Sequence, residues 1–341
     1  MNKAVVEHNK SLKALNTFGI DVSAAFYAAF ENLESLHELL ADAQLKQLPL
    51  LILGGGSNML FTGNFEGLVI HNKIKGIELT AEDDRHWYVT CGAGEVWHQF
   101  VLWCINRNYA GLENLSLIPG SAGAGPLQNI GAYGVEFKDH FHRLEALELS
   151  TGKVRSFDLA ECKFGYRDSV FKQELKGKFI VLSITMRLDK HPEYRITYGA
   201  IAAQLKKMNV DYPDTRSISD AVISIRRSKL PDPAVLGNAG SFFKNPEVSA
   251  GVYEALKNAF PELIAYELSD GNFKLAAGWL IEQCGWKGKR TGNVGSHKDQ
   301  ALVLVNYGNA TGTEVYDLAM EIQASVAERF GVKIMPEVNI I

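Results

Sequence analysis

The sequence contains little cysteine, and its cysteines are not arranged to bind a metal. Only four occur among 341 residues, at Cys91, Cys104, Cys162 and Cys284. They form no C-x-x-C pair and no Cys/His spacing suited to zinc. We therefore predict no metal site and no disulfide framework, and expect four reduced thiols, most of them buried.

The chain also lacks a large excess of charge and any long apolar run. Its formal net charge is −4 and its pI is about 6.2, which gives no general attraction to nucleic acid or to an anionic membrane. No apolar run approaches the ~20 residues of a membrane-spanning helix, and the first residues lack the apolar core of a signal peptide. We expect a cytoplasmic, soluble protein that binds neither nucleic acid nor membrane.

What the sequence does contain is a mixture of short strands, helices and many glycines. With 46% hydrophobic residues among 341, the chain can bury more than one core, and two or three domains are expected. Leucines at helical spacing follow Asn32, a favourable helix cap, and further helices are predicted at residues 96–106 and 274–284 and after Thr313. The last of these carries an apolar stripe that ends at Gly331, and strands are predicted at residues 48–53, 87–90, 143–150, 178–188 and 301–306.

Two glycine-rich segments indicate a bound ligand. The first, GGGSN at residues 54–58, follows a predicted strand and offers successive backbone N–H groups to a phosphate. It is not a Walker A loop, because no G-K-[ST] follows, and Met59 occupies the third glycine position of a G-x-G-x-x-G motif. The second is IPGSAGAGPLQNIGAYG at residues 118–134, in which Ile118, Leu127 and Ile130 favour burial over a mobile surface loop. Together they predict two backbone cradles for a large dinucleotide.

A third segment, GNAGSFFKNP at residues 237–246, presents one hydroxyl in an unusual setting. Ser241 lies between a flexible Gly-Asn-Ala-Gly turn and Phe242–Phe243, which can anchor in a core and exclude water. Lys244 and Asn245 add donors for a polar or anionic ligand. The alternative is an ordinary Gly/Asn loop with an aromatic plug.

Six motifs taken together are specific. In chain order they read GGGSN, IPGSAGAGPLQNIGAYG, GYRDSVF at residues 165–171, KLPDPAVLGNAGSFFKNP at 229–246, GWKGKRTGNVGSHKDQALVLVN at 285–306 and PEV at 336–338. The set resembles the UDP-N-acetylenolpyruvoylglucosamine reductase family and covers residues 16–341. The ITYG stretch around Tyr198 is similar to the tyrosine-bearing insertion of the family's first type.

The resemblance implies an α+β fold. An FAD-binding domain of the p-cresol methylhydroxylase type, with two α+β subdomains, would be followed by a C-terminal α+β substrate-binding domain. The corresponding ranges are residues 16–190 for the FAD-binding domain, 191–220 for a polar connecting segment with Tyr198, 221–330 for the substrate-binding domain and 331–341 for a C-terminal strand carrying Glu337. A monomer is expected.

The resemblance also implies a reaction: NADPH-dependent reduction of UDP-N-acetylglucosamine enolpyruvate to UDP-N-acetylmuramate through noncovalent FAD, in peptidoglycan precursor synthesis. A hydride from flavin N5 would reach the terminal carbon, and negative charge would build on the adjacent carbon and its carboxylate. Arg167 would clamp the carboxylate with two N–H donors. Ser241 would donate the proton, and Glu337 would assist, best as a protonated acid.

The resemblance further assigns binding roles. For the cofactor the implied residues lie in the two glycine-rich segments, and they are Gly54, Gly55, Gly56, Ser57, Asn58, Ile118, Pro119, Gly120, Gly123, Asn129, Gly131, Ala132 and Tyr133. For the UDP part of the substrate they are Tyr198, Lys229, Asn245 and Gln300. The sequence departs from the family at Ala124 and Gly125, where many relatives carry serine hydroxyls, and at Asn339, where an arginine is often found.

Two other functions stay open at this point. One is an FAD oxidase of the same flavin fold; many such oxidases hold flavin covalently through a histidine in the glycine turn, whereas the nearest histidine here, His71, lies well beyond it. The other is a non-catalytic nucleotide-binding module, which would not need Arg167, Ser241 and Glu337 together. Arg167 alone is also compatible with a surface ion pair to Asp168.

Overall fold

The computed structural model describes residues 5–341, which pack into two compact units. The first unit comprises residues 5–10, 24–55 and 66–228, and the second comprises residues 11–23, 56–65 and 229–341. The consecutive ranges expected from the sequence do not coincide with this division, because the chain enters the second unit twice before residue 66.

The elements alternate between short strands and helices of moderate length. The helices are α1 (Leu33–Ala41), α2 (Trp97–Ile105), α3 (Leu159–Cys162), α4 (Ile201–Lys207), α5 (Thr215–Lys229), α6 (Ala250–Ala259), α7 (Ala277–Gln283) and α8 (Gly312–Phe330). The strands are β1 (Val6–Ser11), β2 (Ser23–Phe30), β3 (Leu50–Leu53), β4 (Met59–Leu60), β5 (Phe65–Asn72), β6 (Ile77–Glu82), β7 (His86–Gly92), β8 (Gly131–Ala132), β9 (Val135–Glu136), β10 (Phe141–Glu148), β11 (Val154–Asp158), β12 (Phe179–Asp189), β13 (Gly237–Ser241), β14 (Glu247–Val248), β15 (Ala265–Glu267), β16 (Phe273–Leu275), β17 (Arg290–Thr291), β18 (Val294–Ser296), β19 (Val303–Asn306) and β20 (Asn339–Ile340).

The first unit contains two main sheets, each with a helix packed on it. One has the strand order β1-β2-β5-β3, and the buried leucines of α1 contribute to its core. The other is antiparallel, in the order β11-β10-β12-β7-β6, and α2 packs against its core through fully buried Trp97 and Phe100. This arrangement agrees with the predicted pair of α+β subdomains, because each apolar sheet face is covered by an amphipathic helix.

The segment at residues 191–220 is more ordered than its polar composition suggests. Residues 201–207 form α4, and α5 begins at Thr215. Ile201 and Leu205 of α4 pack with Ile218, Val222 and other buried side chains of α5 in a small core of their own. The polar side chains that dominate the composition therefore lie on the outer faces of a helix pair.

The second unit holds sheets of order β13-β19-β18-β17, β14-β16-β15 and β20-β4. The helix predicted from residue 274 begins only at Ala277, because residues 273–275 form β16. The stripe predicted on the last helix is confirmed, since its five apolar residues are buried, and they are Val315, Leu318, Ile322, Val326 and Phe330. Gly331 ends this helix in the left-handed conformation, with φ 66°.

The helix cap at Asn32 is confirmed, but the cap predicted at Thr313 is wrong. Asn32 Oδ1 accepts the Ser35 N–H at 2.9 Å at the start of α1. In α8 the cap is Thr311, whose hydroxyl accepts the Glu314 N–H at 3.2 Å while the Glu314 carboxylate accepts the Thr311 N–H at 2.7 Å. This reciprocal pair is a capping box, which needs the Ser/Thr and the acid to be three residues apart.

The cysteines are free thiols, and Cys91, Cys104 and Cys162 are buried as expected. Burial raises the pKa of Cys162 to about 12. Within residues 5–341, no helix is both long and apolar enough to cross a membrane. Over the same range, no cluster of three or more His, Cys, Asp or Glu side chains could hold a metal ion.

We predict that Thr311→Ala lowers the free energy of unfolding of the second unit by about 1 kcal/mol, the usual contribution of a cap. Thr313→Ala serves as the control, because the Thr313 hydroxyl contacts the Thr62 carbonyl at a longer 3.3 Å. Urea unfolding followed by circular dichroism measures both variants. A larger loss for Thr313→Ala would contradict the cap assignment.

Candidate functional site

In the first unit the two glycine-rich segments meet backbone against backbone. A Cβ atom added to Gly55 would lie 2.8 Å from the Gly120 Cα, and one added to Gly54 would lie 2.2 Å from the Ser121 Oγ. Farther along, a Cβ on Gly123 would lie 2.5 Å from the Ala93 Cβ. The end of β3 and the start of the 118–134 segment can therefore approach this closely only with glycine at these positions.

The rest of GGGSN belongs to the second unit and has a packing role there. A Cβ atom on Gly56, whose φ is +61°, would lie 1.9 Å from the Leu15 carbonyl oxygen. The Gly56 carbonyl accepts the Thr17 N–H at 3.1 Å. Gly56 is thus required by its contact with Leu15, whatever else it binds. Asn58 follows, and its carbonyl accepts hydrogen bonds from the Asn339 N–H at 3.1 Å and the Asn339 side chain at 2.8 Å.

The 118–134 segment carries several residues in the left-handed region, which is common for glycine and uncommon for residues with a side chain. Leu117, immediately before it, has φ 58°, and Asn129 and Tyr133 within it have φ 45° and 51°. Such conformations concentrate at functional sites, where the surroundings hold them in place. Ile130 is buried as expected, whereas Leu127 is 38% exposed and does not anchor the segment.

Asn129 is held by the protein itself. Its amide donates to Glu136 Oε2 and to the Gly165 carbonyl, both at 2.9 Å, and its Oδ1 accepts the Lys138 N–H at 3.0 Å. The side chain is fully buried. Any contact between Asn129 and a cofactor is therefore left to its backbone, and the side chain serves to shape the loop.

Arg167 lies beside the same segment. Its φ is 52°, and its Nη2 donates to the Gly131 carbonyl at 2.7 Å. The neighbouring Asp168 carboxylate accepts hydrogen bonds from the Gln173 amide and from the Ser169 N–H, each at 2.9 Å. The loop backbone thus orients the Arg167 guanidinium group.

Tyr198 lies beside the C-terminal end of the 118–134 segment. A Cβ on Gly134 would lie 3.1 Å from the Tyr198 Cβ, and the Tyr198 side chain is exposed. Tyr198 also lines a polar cavity of about 700 Å³, which is formed largely by residues 187–198 and 111–114. Within the cavity wall, burial raises the pKa of Glu113, which accepts the Gly111 N–H at 2.7 Å.

One side chain that links the glycine-rich segment to the stretch around Tyr198 was not identified from the sequence. The buried Asn114 amide donates to the Tyr133 carbonyl at 2.9 Å and to the Arg195 carbonyl at 2.8 Å. It thereby connects the glycine-rich segment to the stretch that carries Tyr198. A single asparagine in GLENLS carries no local signal of this role, because both partners are distant in sequence.

In the second unit, Ser241 and Glu337 lie on neighbouring stretches of backbone. The Glu337 N–H donates to the Phe242 carbonyl at 2.7 Å, and the Asn58 amide lies 3.4 Å from the Glu337 carbonyl. Ser241 is exposed, while Phe242 and Phe243 are buried, as predicted. The Gly-Asn-Ala-Gly stretch is not a turn: it forms β13, with an irregularity in its pairing to β19 between Asn238 and Ser241.

Two of the predicted substrate-binding amides converge near the start of α7, also in the second unit. Asn245 Oδ1 accepts the Ala277 N–H at 2.9 Å. A Cβ on Gly278 would lie 3.2 Å from the Gln300 Oε1. Lys229 is elsewhere, at the exposed end of α5, where the chain passes from the first unit to the second.

Comparison with known proteins identifies the class of the fold and site. Residues 24–158 match the FAD binding domain family. A solvent-stable cholesterol oxidase has the same fold, with a TM-score of 0.51 at 10% identity over 98% of this chain and 87% of that one. The close glycine contact and the strained loop fit a cofactor that is bound through backbone groups. The protein therefore contains an FAD-binding domain.

The match to particular relatives is much closer. UDP-N-acetylenolpyruvoylglucosamine reductases of Amoebophilus asiaticus and Flavobacterium johnsoniae are 52% and 50% identical to this chain, each over 98% of it and 99% of the relative. Residues 232–341 match the C-terminal domain of that family. The Thermus caldophilus enzyme structure superposes with a TM-score of 0.68 at 22% identity, covering 99% of this chain and 98% of that one. The chain belongs to the UDP-N-acetylenolpyruvoylglucosamine reductase family, as its motifs predicted.

We predict that Gly55→Ala weakens FAD binding about 10- to 100-fold, because the added methyl group would force the Gly120 backbone away and overpacking costs about 1–3 kcal/mol. Gly63→Ala is the control, since nothing lies within 4 Å of a Cβ at that exposed position. Titration of apoprotein with FAD, followed by flavin fluorescence, measures the affinity. If Gly55→Ala bound FAD with wild-type affinity, the close glycine contact would not be required for cofactor binding.

Proposed function

We propose that this protein reduces UDP-N-acetylglucosamine enolpyruvate to UDP-N-acetylmuramate with electrons from NADPH. The observation that carries the proposal is that, in the second unit, the Glu337 N–H donates to the carbonyl of Phe242, the residue that follows Ser241. A proton donor and an acid on neighbouring stretches of backbone suit the reduction of a carbon–carbon double bond next to a carboxylate.

The proposal assigns the FAD to backbone donors of the two glycine-rich segments, without a covalent bond. Bound FAD would supply the hydride transfer from NADPH to the terminal carbon of the enolpyruvyl group. His71, the histidine nearest to the glycine turn in sequence, is engaged elsewhere: its Nδ1 lies 2.9 Å from the Tyr27 hydroxyl in the first unit. Burial lowers the pKa of His71 to about 4.

Ser241 is proposed to donate its hydroxyl proton to the carbon next to the carboxylate, completing the addition of one hydride and one proton across the double bond. Its position suits this role, because the side chain is exposed while the next two residues, Phe242 and Phe243, are buried in the core. A donor on such an anchored strand is held with little rotational freedom. This favours proton transfer, compared with a donor on a mobile loop.

Arg167 and Glu337 are proposed to stabilise the negative charge that builds on the substrate. The guanidinium group of Arg167 is held beside the glycine-rich segment by the Gly131 carbonyl, and its planar fork has the geometry that a carboxylate prefers. Glu337 is half-buried, and in its protonated form it can donate a hydrogen bond to the developing charge.

For the UDP part of the substrate we propose Tyr198, Lys229, Asn245 and Gln300. Because Asn245 uses its Oδ1 to accept the Ala277 N–H, its amide N–H groups are the donors that would contact the ligand. Tyr198 would close over the substrate from the wall of its cavity, moving the non-helical stretch before α4 while the α4–α5 pair stays packed. We further propose a monomer that acts in the cytoplasm.

We predict that the purified protein is yellow, is bleached by NADPH, and recovers its colour without oxygen only when the enolpyruvyl substrate is added. The absorbance near the flavin band, recorded in an anaerobic cuvette, tests this sequence. Recovery only with air would favour an oxidase. A colourless protein that does not bind added FAD would favour a non-catalytic nucleotide-binding module.

We predict that Ser241→Ala leaves reduction by NADPH near the wild-type rate but slows reoxidation by the substrate by ~10²–10⁴-fold, because general acid catalysis contributes that order and acts only in the second half-reaction. Stopped-flow flavin absorbance measures each half-reaction. Ser241→Cys is expected to recover part of the rate, since a thiol also donates a proton. Equal slowing of both steps would instead assign Ser241 to positioning.

A further inference from the structure

The first residue of α2 is hydrogen-bonded to the beginning of the 118–134 segment and to the residues just before it. The Trp97 N–H donates to the Gly120 carbonyl at 2.9 Å, and the ring Nε1–H of Trp97 donates to the Leu115 carbonyl at 3.0 Å. Trp97 itself is fully buried. The start of α2 is therefore a fixed support for this stretch of the loop.

Between these two contacts, the backbone of Leu117 is bound by side chains. Its φ is 58°, a conformation that is uncommon for a branched residue and that persists where the surroundings impose it. The Leu117 N–H donates to His98 Nδ1 at 2.9 Å, and the Leu117 carbonyl accepts a hydrogen bond from Arg226 Nε at 3.2 Å. One side chain from α2 and one from α5 thus hold both polar groups of this residue.

His98 can accept this hydrogen bond in only one protonation state. A backbone N–H is always the donor, so Nδ1 must be unprotonated, which places the proton of the neutral imidazole on Nε2. Burial, and then the charges of Arg226 and Arg227 in α5, lower the pKa of His98. The α2 helix carries no charged side chain of its own. The surroundings of His98 therefore favour the neutral form that the contact requires.

The conformation of Leu117 determines where Gly120 lies. Only Ile118 and Pro119 separate the two residues, and the proline ring fixes its own φ, so a change at Leu117 displaces Gly120. Gly120 is the residue whose Cα lies 2.8 Å from a Cβ added to Gly55. We propose that His98 is a positioning residue of the cofactor site, which holds Leu117 in its left-handed conformation and thereby places Gly120 against Gly55. The inference rests on the proposed function, which assigns FAD to this backbone.

The test compares His98→Asn with His98→Leu. The two replacements have nearly the same shape, but only asparagine offers an acceptor close to the position of Nδ1. His98→Leu is expected to weaken FAD binding to apoprotein about 10-fold and to speed hydrogen exchange of the Leu117 N–H by a similar factor, because a backbone donor loses its partner. His98→Asn should remain close to wild type in both measurements.

Flavin fluorescence measures the FAD affinity, and deuterium exchange with mass spectrometry, on apoprotein, follows the peptide that contains Leu117. Gln99→Leu is the control, because it changes the next residue of α2, which is exposed. It is expected to match wild type in both measurements.

The other outcomes are distinct. Equal weakening of FAD binding by His98→Asn and His98→Leu would assign His98 to packing and overturn the proposal, as would wild-type FAD affinity in His98→Leu. Should His98→Leu fail to fold, His98→Phe keeps a ring without an acceptor, and it is expected to weaken FAD binding where His98→Asn does not. A wild-type protein that binds FAD but does not reduce the enolpyruvyl substrate would refute the proposed function, while the FAD affinities would still decide the role of His98.

Discussion

The constraint on which the candidate cofactor site depends is the contact of two glycine-rich backbones in the first unit. Gly54 and Gly55 press on Gly120 and Ser121 at distances that leave no room for a Cβ atom. Any side chain between them would separate the end of β3 from the loop. Because no side chain intervenes, backbone from two distant parts of the sequence meets at one place, which is where we propose that the cofactor binds.

The rest of the loop is shaped by hydrogen bonds that hold unfavourable backbone conformations. His98 and Arg226 bind the backbone of Leu117, and the amide of Asn114 donates to the Tyr133 carbonyl. The side chain of Asn129 is hydrogen-bonded to groups of the protein itself. These bonds come from helices, a neighbouring loop and the segment itself. A loop held in this way is preorganised, so that less entropy is lost when a ligand binds.

The second unit has a different feature, a small exposed hydroxyl on a rigid support. Two adjacent buried phenylalanines anchor the chain directly after Ser241, and the backbone of residues 335–337 pairs alongside. The irregular pairing of β13 redirects the chain just before this point. The hydrogen bond that extends this pairing joins the Glu337 N–H to the carbonyl of Phe242, the residue that follows Ser241.

The sequence by itself determined the local elements, the motifs and the family. Apolar spacing identified α1, α2 and the stripe of α8, because helical periodicity and an asparagine cap are local properties. The polar composition of residues 191–220 did not indicate the helix pair and its own core, because the polar side chains lie on its outer face. The local sequence pattern also placed the cap of α8 two residues too far along the chain, because a cap depends on backbone angles as well as on residue type.

Only the tertiary structure decided which distant groups meet. Arg226 resembles any basic residue near a helix end, and nothing in its neighbourhood in sequence points to Leu117, more than a hundred residues earlier. Asn114 is equally inconspicuous, yet it joins two parts of the site. The motif glycines were evident from the sequence, but the close packing contacts that require Gly54, Gly55 and Gly56 were not. Such roles depend on register and on close approach between segments, which a one-dimensional pattern does not encode.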